Sequence, residues 1–399
     1  MNILILNEEF TPDPHGYLLS DIASRLSVNG QNNIHFYATK SKHRIIDKTL
    51  KNNNLLQKRN FFLKRFWVLR SFHNSKIVKI FNSILFSLQC LVLGIFSKKF
   101  DLIICASSHI VFLGNAATIL SKFHNSKLIY RVEDIHPHHL DFNTGSFIGR
   151  MMFNVFLNLE KYNYNNSTII LPISKNMKET IIDRTSKEIV VCEIHNIPRG
   201  ITDIEENFTN KLLPKKNKMF RLVYTGNVGN FQPLDLIIES FFYLQNYEVE
   251  LIIIGDGVRK KYYKKQSKNL VNKSIFFVDH VNIIEVNNFI NSADLGIVSL
   301  KEGFERYAFP SKITGYLEMG CPILSISAKD SSLSNLIRQS DVGIIHYNKN
   351  PKELSQKILK CKNNKNFKLN YRENISHLMK TSLSKEMLLD KWIEIINRI

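Results

Sequence analysis

Residues 293–326 read ADLGIVSLKEGFERYAFPSKITGYLEMGCPILSI, and this stretch indicates the fold class of the chain. It predicts an apolar strand, a polar loop, a helix that opens at Pro310-Ser311-Lys312, and a second apolar strand. A helix N-terminus presents unpaired backbone N–H groups to an anion, and Lys312 adds a positive charge at the same point. We therefore predict a phosphate-binding site here, with an exposed first-turn lysine as the alternative.

Short apolar segments alternate with helical patterns along both halves of the chain, which is typical of doubly wound parallel sheets. In the first half the predicted strands are residues 2–6, 33–38, 102–106, 127–131, 168–171 and 189–192. In the second half they are residues 221–225, 249–254, 274–278, 295–300, 322–327 and 343–346. A length of 399 residues suits two domains of about 150–200 residues each. We place the first domain at residues 1–195, the second at 196–383, and at 384–399 a C-terminal amphipathic helix that must dock on another surface.

Cysteine usage and the first residues favour an intracellular protein. The five cysteines are odd in number, widely spaced, and form no CxxC pair, which argues against a disulfide framework or a zinc site. Met1 is followed at once by strand-like residues, whereas a secretory signal would begin with a basic segment and a long apolar stretch. We therefore expect no secretory signal.

The net charge of +19 is concentrated in one segment. Residues 40–99 contain fourteen Lys or Arg residues and a single acid, Asp47, so that +13 of the total lies in this basic insert. Cations mixed with aromatic residues are typical of a helix in a membrane interface beside anionic lipid. Single-stranded nucleic acid and a plain solvated basic face are the alternatives. The residues that we expect to contact the membrane are Lys58, Arg59, Lys64, Arg65, Trp67 and Arg70.

The most apolar run of the chain covers residues 80–96. It is short for a transmembrane helix, which needs about 20 mostly apolar residues, and it contains Asn82, Ser83, Ser87 and Gln89. We predict a core or interfacial helix, with a spanning helix as the alternative.

Two glycine-bearing turns follow the first two predicted strands of the second half. Turns without side chains let backbone N–H groups approach a diphosphate, although glycine also occurs in such turns for steric reasons alone. Together with Lys312, the turns predict a site for a nucleoside diphosphate. Their residues are Gly226, Asn227 and Gly229 in the first turn and Gly255, Asp256 and Gly257 in the second.

These motifs resemble the C-terminal half of glycosyltransferase family 4. The likeness rests on Gly-Asn-x-Gly, Ile-Ile-Gly-Asp-Gly, Ala-Asp-Leu-Gly-Ile-Val, and Pro-Ser-Lys with Gly-x-Pro eight residues after the lysine. It is similar above all to the bacterial branch that builds O-antigen, capsule and exopolysaccharide. In the first half it rests on Gly16, on Asp134-Ile135-His136-Pro137 and on Ile173-Ser174-Lys175.

The resemblance implies an α/β protein with the GT-B fold, in which two Rossmann-like domains face each other across a cleft and the final helix crosses back. It implies a retaining glycosyltransferase of the hexosyltransferase type, without metal or other cofactor, that uses a nucleotide sugar donor, expected to be UDP-linked. Lys312 would then stabilise the leaving diphosphate. The donor-binding residues that the resemblance implies are Gly16, Gly226, Asn227, Gly255, Asp256, Gly257, Pro310, Ser311 and Tyr316.

The sequence departs from the family pattern in the loop before Lys312. Many members carry two glutamates eight positions apart, and Tyr307 and Gly315 stand in those places here. The sugar and ribose contacts of the glutamates are therefore not carried over. Asn230 stands where relatives often place a basic residue, so Arg259 is considered as its substitute.

An acidic pair and a histidine follow a predicted strand of the first domain. Glu133 or Asp134 would orient the acceptor hydroxyl or stabilise an oxocarbenium-like transition state, and His136 would accept a proton. The alternative is a loop of helix-capping acids and solvated histidines. His136, His138 and His139 also suggest a metal site, but with no cysteine nearby and a resemblance to metal-independent enzymes we predict none.

The basic insert bears on the acceptor. A basic interfacial surface would hold the protein on the inner face of the cell membrane and attract a saccharide carried on a lipid diphosphate. We therefore expect a cytoplasmic, peripheral membrane protein of surface polysaccharide synthesis. The alternatives are a GT-B sugar-nucleotide epimerase, a catalytically silent assembly partner, and a nucleic-acid-binding protein, which would not need the glycine turns. We expect no nucleic-acid partner.

Overall fold

The computed structural model describes residues 1–11, 16–40, 55–69, 76–107, 111–140, 142, 145–186, 190–196 and 219–399. These residues form two compact units. Unit 1 comprises the described residues of Met1–Asn196 with Arg306–Phe309 and Leu388–Ile399. Unit 2 comprises the described residues of Ile197–Glu305 with Pro310–Met387. Arg70 and most of residues 196–218, where we place the domain boundary, lie outside the described part of the chain.

Unit 1 is a seven-stranded parallel sheet flanked by helices, with the strand order β3-β2-β1-β4-β5-β6-β7. Among its inner strands, β4 and β6 are apolar and buried along their whole length and β5 is buried from Leu128 onward, as expected for a sheet covered by helices on both faces. The elements are β1 (Asn2–Leu6), α1 (Tyr17–Leu26), β2 (Asn33–Thr39), β3 (Phe61–Phe66), α2 (Lys76–Ile95), β4 (Leu102–Ala106), α3 (Phe112–His124), β5 (Lys127–Val132), α4 (Phe147–Asn166), β6 (Ile169–Pro172), α5 (Lys175–Ile182) and β7 (Val190–Val191).

Unit 2 is a six-stranded parallel sheet with the order β10-β9-β8-β11-β12-β13. Every residue of β8 and β9 is buried, and these strands pair along their full length. The elements are β8 (Phe220–Thr225), α6 (Asp235–Phe241), β9 (Val249–Ile254), α7 (Lys260–Gln266), β10 (Ile275–Val278), α8 (Ile283–Ser292), β11 (Leu295–Ser299), α9 (Lys312–Glu318), β12 (Ile323–Ile326), α10 (Ser332–Ser340), β13 (Gly343–His346), α11 (Pro351–Asn363) and α12 (Phe367–Lys380). The last helix, α13 (Lys385–Asn397), begins in unit 2 and belongs to unit 1 from Leu388 onward.

The last helix contributes its apolar face to unit 1 from Leu388 onward. Trp392 is fully buried, and the buried guanidinium of Arg131 lies 5.8 Å from the centre of its ring. Lys391 donates a hydrogen bond to the carbonyl of Glu193 at 3.1 Å. Burial of Trp392 removes a large apolar surface from water, so this helix stabilises unit 1 through packing.

Two elements differ from the sequence-based predictions. We interpreted the basic, aromatic stretch as an interfacial helix, but it contains the strand β3, which pairs with β2 at the edge of the sheet. Phe62 of this strand stacks on His35 with ring centres 4.9 Å apart. An edge strand tolerates charged side chains, so its sequence lacks the apolar pattern by which the other strands were predicted. Helix α12 lies where no helix was predicted, and its Phe367 packs against Phe220 of the core.

Candidate functional site

The carboxyl ends of β8 and β11 define the expected ligand position in unit 2 on topological grounds. The chain order in the sheet reverses between β8 and β11, so their carboxyl ends diverge into loops that leave a crevice. Open α/β sheets bind their ligands at such a point. The turn at Gly226 directly follows β8, and the turn at Gly255 directly follows β9. The sequence-predicted glycine turns therefore lie side by side.

The two turns pack backbone against backbone. Gly255 has a φ of +130°, and a Cβ atom placed on it would lie 2.1 Å from the carbonyl oxygen of Gly226. A Cβ on Gly257 would lie 2.3 Å from the carbonyl oxygen of Val228, whose N–H donates to the carbonyl of Asp256 at 2.9 Å. No side chain fits at either glycine, so the residue type follows from the close approach of the turns.

Lys312 reaches the first glycine turn from the start of α9. Its Nζ atom lies 3.6 Å from the centre of the Tyr224 ring and would be 3.8 Å from a Cβ atom placed on Gly226. The buried Tyr224 donates its hydroxyl to the carbonyl of Asn227 at 2.6 Å. One side chain thus supports both the ammonium, through a cation–π contact, and the backbone of the turn.

The environment of Lys312 weakens its hold on a proton. The side chain is half-buried, and desolvation lowers the pKa of its ammonium to about 7. Among the described residues, no hydrogen bond or ion pair joins a carboxylate to this ammonium. A bound anion would supply a counter-charge for this ammonium.

Tyr316, which the resemblance implied as a donor-binding residue, is fully buried. Its hydroxyl accepts the backbone N–H of Thr225 at 2.9 Å and donates to the carbonyl of Val223 at 3.3 Å. A Cβ on Gly296 would lie 2.6 Å from the Tyr316 ring, so the ring packs directly on β11. This placement argues against direct contact with a donor and indicates that Tyr316 holds the end of β8.

The remaining predicted residues of this loop are at the surface. Pro310 is half-buried and Ser311 is exposed. Ser311 makes no side-chain cap bond to α9, which has seven residues. The predicted anion site therefore depends on Lys312 and the glycine turns more than on the helix N-terminus.

Local partners occupy several other polar groups near the turns. Asp256 accepts the N–H of Gly257 at 2.8 Å, so the carboxylate closes its own turn. Arg259, considered as a substitute cation, forms an ion pair with Asp235 at 3.0 Å. The buried Lys260, which the sequence analysis did not single out, donates to the carbonyl of Gly255 at 2.6 Å and to Asp279 at 2.7 Å. Lys260 therefore anchors the second turn.

In unit 1, Glu133 and Asp134 follow the carboxyl end of β5 as half-buried residues. The N–H of Glu133 donates to the hydroxyl of Ser107 at 3.1 Å. Asp134 forms an isolated antiparallel bridge with Ala308. The acidic pair is thus held at a strand end with its backbone restrained on both sides.

His136 does not fit the predicted role of proton acceptor. The residue is fully buried, so its imidazole has no contact with solvent through which an acceptor hydroxyl could reach it. Its backbone N–H donates to the buried Glu160 at 2.9 Å, and its carbonyl accepts from Arg184 at 2.9 Å. Burial raises the pKa of Glu160 to about 8, outweighing the opposing effect of Arg184. His136 belongs to a buried polar network.

Tyr307, which stands in place of a family glutamate, packs on this network within unit 1. Its ring stacks on His138 with centres 3.8 Å apart, and its carbonyl accepts the N–H of Ile135 at 2.8 Å. The guanidinium of Arg184 donates to Nδ1 of His138 at 3.1 Å, because arginine has no acceptor atom. Burial and the Arg184 charge lower the pKa of His138 to about 4, so its imidazole is neutral.

The predicted membrane-contacting residues divide into two groups. Arg59, Lys64 and Trp67 are exposed. Lys58 instead donates to the hydroxyl of Ser27 at 2.9 Å, and Arg65 is half-buried, so neither of these two presents a fully solvated charge. A membrane role for the basic insert therefore falls mainly on the exposed residues.

Gly16, a predicted donor-binding residue, lies in unit 1 at the start of α1. A Cβ atom on it would lie 2.3 Å from the backbone of Phe10, so the close packing excludes a side chain. Its carbonyl accepts the hydroxyl of Ser20 at 2.7 Å. These contacts give Gly16 a structural reason to be glycine, and its donor role stays a prediction.

Among the described residues, no group of three or more His, Cys, Asp or Glu side chains could hold a metal ion. Tyr224 and Lys260, which support the two turns, were not predicted as functional residues from the sequence. Tyr224 could have been noticed because an aromatic residue directly precedes the Thr-Gly turn, whereas nothing in the sequence marks Lys260 among the neighbouring lysines.

Two parallel-sheet α/β units, with strand-end glycine turns and a lysine at the switch point of the second, have the architecture of the GT-B glycosyltransferases. Residues 203–377 match the family model described as "Glycosyl transferases group 1". The matched residues lie in the C-terminal part and make up less than half of the chain.

Individual proteins that resemble this chain are described as glycosyltransferases. A probable glycosyltransferase, WbjE of Pseudomonas aeruginosa, is 25% identical over 172 residues, which are 42% of each chain. The chain thus aligns with less than half of the length of this relative. HepE of Anabaena, crystallised with UDP and glucose, has a TM-score of 0.69 at 13% identity over all of both chains. WaaG, a glycosyltransferase involved in lipopolysaccharide biosynthesis, has a TM-score of 0.66 at 13% identity over 99% of each chain. At these identities the two structures establish the fold.

Proposed function

We propose that the protein is a retaining glycosyltransferase of family 4 that transfers a sugar from a UDP-linked donor to a lipid-linked or saccharide acceptor. The observation that carries the proposal is the ammonium of Lys312, held 3.6 Å from the Tyr224 ring beside the Gly226 turn at the end of β8. The Glycosyl transferases group 1 match covers this part of the chain and adds support.

On the donor side, the chemistry is stabilisation of a leaving diphosphate. Negative charge develops on the diphosphate as the bond to the sugar breaks, and a preorganised cation stabilises that charge. Lys312 supplies the cation, and the backbone at Gly226 and Gly255 leaves room for phosphate oxygens to approach. We propose that these groups perform the task that a divalent cation performs in other transferases. The HepE structure, with UDP bound to the same fold, supports this choice of nucleotide.

On the acceptor side, Glu133 and Asp134 are the proposed functional residues. They are the half-buried carboxylates at the carboxyl end of β5 in unit 1, with backbones fixed by Ser107 and Ala308. A fixed carboxylate can orient an acceptor hydroxyl or stabilise an oxocarbenium-like transition state. His136 has no part in this proposal because it is buried.

The acceptor is proposed to be carried on lipid, in bacterial surface polysaccharide synthesis such as O-antigen or capsule. The exposed Arg59, Lys64 and Trp67 of unit 1 support a peripheral position on the cytoplasmic face of the membrane. WaaG, of the same fold, is named for lipopolysaccharide biosynthesis, which is consistent with this acceptor class.

The test is incubation of the purified protein with lipid-linked saccharides and a panel of nucleotide sugars, with transfer scored by mass spectrometry. Transfer from at least one donor, with the anomeric configuration retained, is expected. Donor conversion without transfer would point instead to a sugar-nucleotide epimerase. No transfer from any donor, together with unchanged UDP binding by Lys312→Ala, would overturn the proposal.

The control for the lysine is Lys365→Ala. Lys365 is an exposed lysine of the same unit, between α11 and α12. Its replacement by alanine removes the same charge as Lys312→Ala, but away from the glycine turns. Its UDP affinity should equal that of the parent protein, whereas Lys312→Ala should bind UDP at least about tenfold more weakly, as expected for loss of one charged contact.

A further inference from the structure

Helices α2, α3 and α4 form one layer of unit 1. Gly94 of α2 packs so closely on Leu120 of α3 that a Cβ atom on it would lie 2.6 Å from the leucine side chain. Asn115 of α3 donates to Asn163 of α4 at 2.7 Å. The helices are therefore packed side by side, and we call their exposed sides together the helix face.

The helix face is unusually apolar. Residues Val78–Ile95 of α2 are long and apolar enough to cross a membrane, yet only 28% of them are buried. The other side of α2 packs Phe86 and Cys90 into the core of unit 1, so the helix lies on this unit. The exposed apolar residues of the helix face are Phe81, Ile84, Leu88, Val92 and Phe96 along α2, Ile119 and Phe123 on α3, and Phe147, Ile148, Met151 and Val155 on α4.

The stripe on α2 has helical spacing. Leu88 and Val92 are 53% and 55% exposed, and Phe96, just past the helix, is 84% exposed. Positions four apart lie above one another on a helix, so these side chains form one stripe along the exposed side of α2. Exposed apolar residues scattered singly need no explanation, whereas a contiguous set marks an interaction surface.

The charge on the helix face has one sign. Residues 76–100 and 111–125 contain no acidic residue, and residues 145–166 contain only Glu160, which is fully buried. Exposed cations lie near the helix ends, at Lys79, Lys98, Lys99 and Lys122 and at Arg150. A surface with an apolar centre and cations at both ends fits an anionic interface.

Trp67 extends the helix face toward the strand β3. Gln89 of α2 donates to the carbonyl of Trp67 at 3.2 Å, and Asn82 of α2 exchanges two hydrogen bonds with the backbone of Leu69 at 2.9 and 3.0 Å. The segment after β3 is thus fastened along α2, with the Trp67 side chain 56% exposed. Tryptophan prefers the headgroup region of a bilayer.

We propose that the helix face docks on an anionic lipid bilayer, with its apolar side chains in the interface and its cations on the headgroups. A second copy of the chain is disfavoured as occupant because it would place the same cations against one another. The proposal deepens the membrane partner named under Proposed function. It assigns the surface that enters the membrane interface to the helices, and not to the strand β3 of the basic insert, with Trp67 at the border of that surface.

The test uses vesicles of equimolar phosphatidylcholine and phosphatidylglycerol, with phosphatidylcholine vesicles for comparison. The parent protein should sediment with the anionic vesicles. The variant Leu88→Asp/Val92→Asp should bind them at least about tenfold more weakly, because it places two anions in the interface. The matched control Tyr247→Asp/Leu369→Asp adds the same charge at exposed apolar positions of unit 2 and should bind like the parent.

Tryptophan fluorescence gives a second measurement. The chain has two tryptophans, and Trp392 is fully buried, so quenching by brominated phosphatidylglycerol reports on Trp67. Quenching is expected in the parent and should be lost in Leu88→Asp/Val92→Asp. Equal vesicle binding by this variant and the parent, or equal loss in the control, would overturn the proposal. A lipid-free dimer that Leu88→Asp dissociates would also overturn it and assign the face to a second copy.

The two proposals can fail separately. Vesicle binding is measured without any sugar nucleotide, so its absence leaves sugar transfer to a water-soluble acceptor open to measurement. Conversely, a protein that binds vesicles through the helix face but transfers no sugar would retain this inference and lose the proposed function.

Discussion

UDP binding should weaken as the pH rises above neutrality, because Lys312 must be protonated to hold a diphosphate. Burial lowers the pKa of the Lys312 ammonium to about 7 in the ligand-free protein. A bound diphosphate pairs with the ammonium and raises its pKa in the complex. Binding must therefore take up a proton wherever the free protein has lost one.

The size of the effect follows from this pKa. About half of the Lys312 side chains are protonated at about pH 7, and about one in a hundred at about pH 9. The affinity for UDP should therefore fall by about 50-fold over this interval if the complex keeps its pKa above about 9. Phosphate groups with a second pKa near about 6 stay ionised over this range, so the ligand itself adds little.

Isothermal titration with UDP at a series of pH values measures both the affinity and, through buffers of different ionisation enthalpy, the proton uptake. Lys312→Arg keeps its charge throughout because a guanidinium does not titrate here, and its affinity should vary little with pH. Lys312→Met should bind weakly at every pH. The parent should match the arginine variant in its pH dependence only below about pH 7.

One result would refute the reasoning about burial. If the parent affinity stays constant to about pH 9 while Lys312→Met loses affinity, then the ammonium is charged over the whole range and its desolvation has been misjudged. If Lys312→Met binds UDP as tightly as the parent at every pH, the lysine is not part of the donor site at all.

Three further changes test the supports of the site and the core of unit 1. Gly255→Ala forces a Cβ atom against the neighbouring turn and should lower UDP affinity at least about tenfold, whereas Gly315→Ala, with open space around it, should leave affinity unchanged in the same titration. Tyr224→Phe keeps the ring under the ammonium and should keep the pH profile of UDP binding, at a stability cost of about 1 kcal/mol for the lost hydroxyl. Tyr224→Leu should shift the midpoint of that profile. An unchanged midpoint in the leucine variant would show that the ring does not affect the pKa of Lys312. Glu160→Ala removes the acceptor of the His136 N–H and of the Arg184 guanidinium and should lower the free energy of unfolding by about 1–3 kcal/mol in urea titrations, and an unchanged free energy of unfolding would contradict the buried network.

Much of the fold could be read from the sequence because most strands of a parallel sheet covered by helices are predominantly apolar. Segments such as 2–6, 249–254 and 343–346 were predicted with the bounds that the structure has. The glycine turns were also predicted, because a backbone close to another backbone excludes a side chain and leaves glycine as the visible mark. Strand β3 escaped prediction because an edge strand needs no apolar run on both faces.

The sequence by itself thus determined the alternation of strands and helices, the turns at the ends of β8 and β9, and the identity of Lys312 as the cation beside them. Only the tertiary structure decided what surrounds each side chain. It placed Tyr224 under the Lys312 ammonium, buried His136 and Tyr316, and left one side of α2 uncovered. The physical reason is that strands, helices and tight turns depend on the residues of a short segment, so their pattern is visible in the sequence. The pKa of a side chain, its access to a ligand and the exposure of a helix side depend instead on neighbours that are distant in the chain.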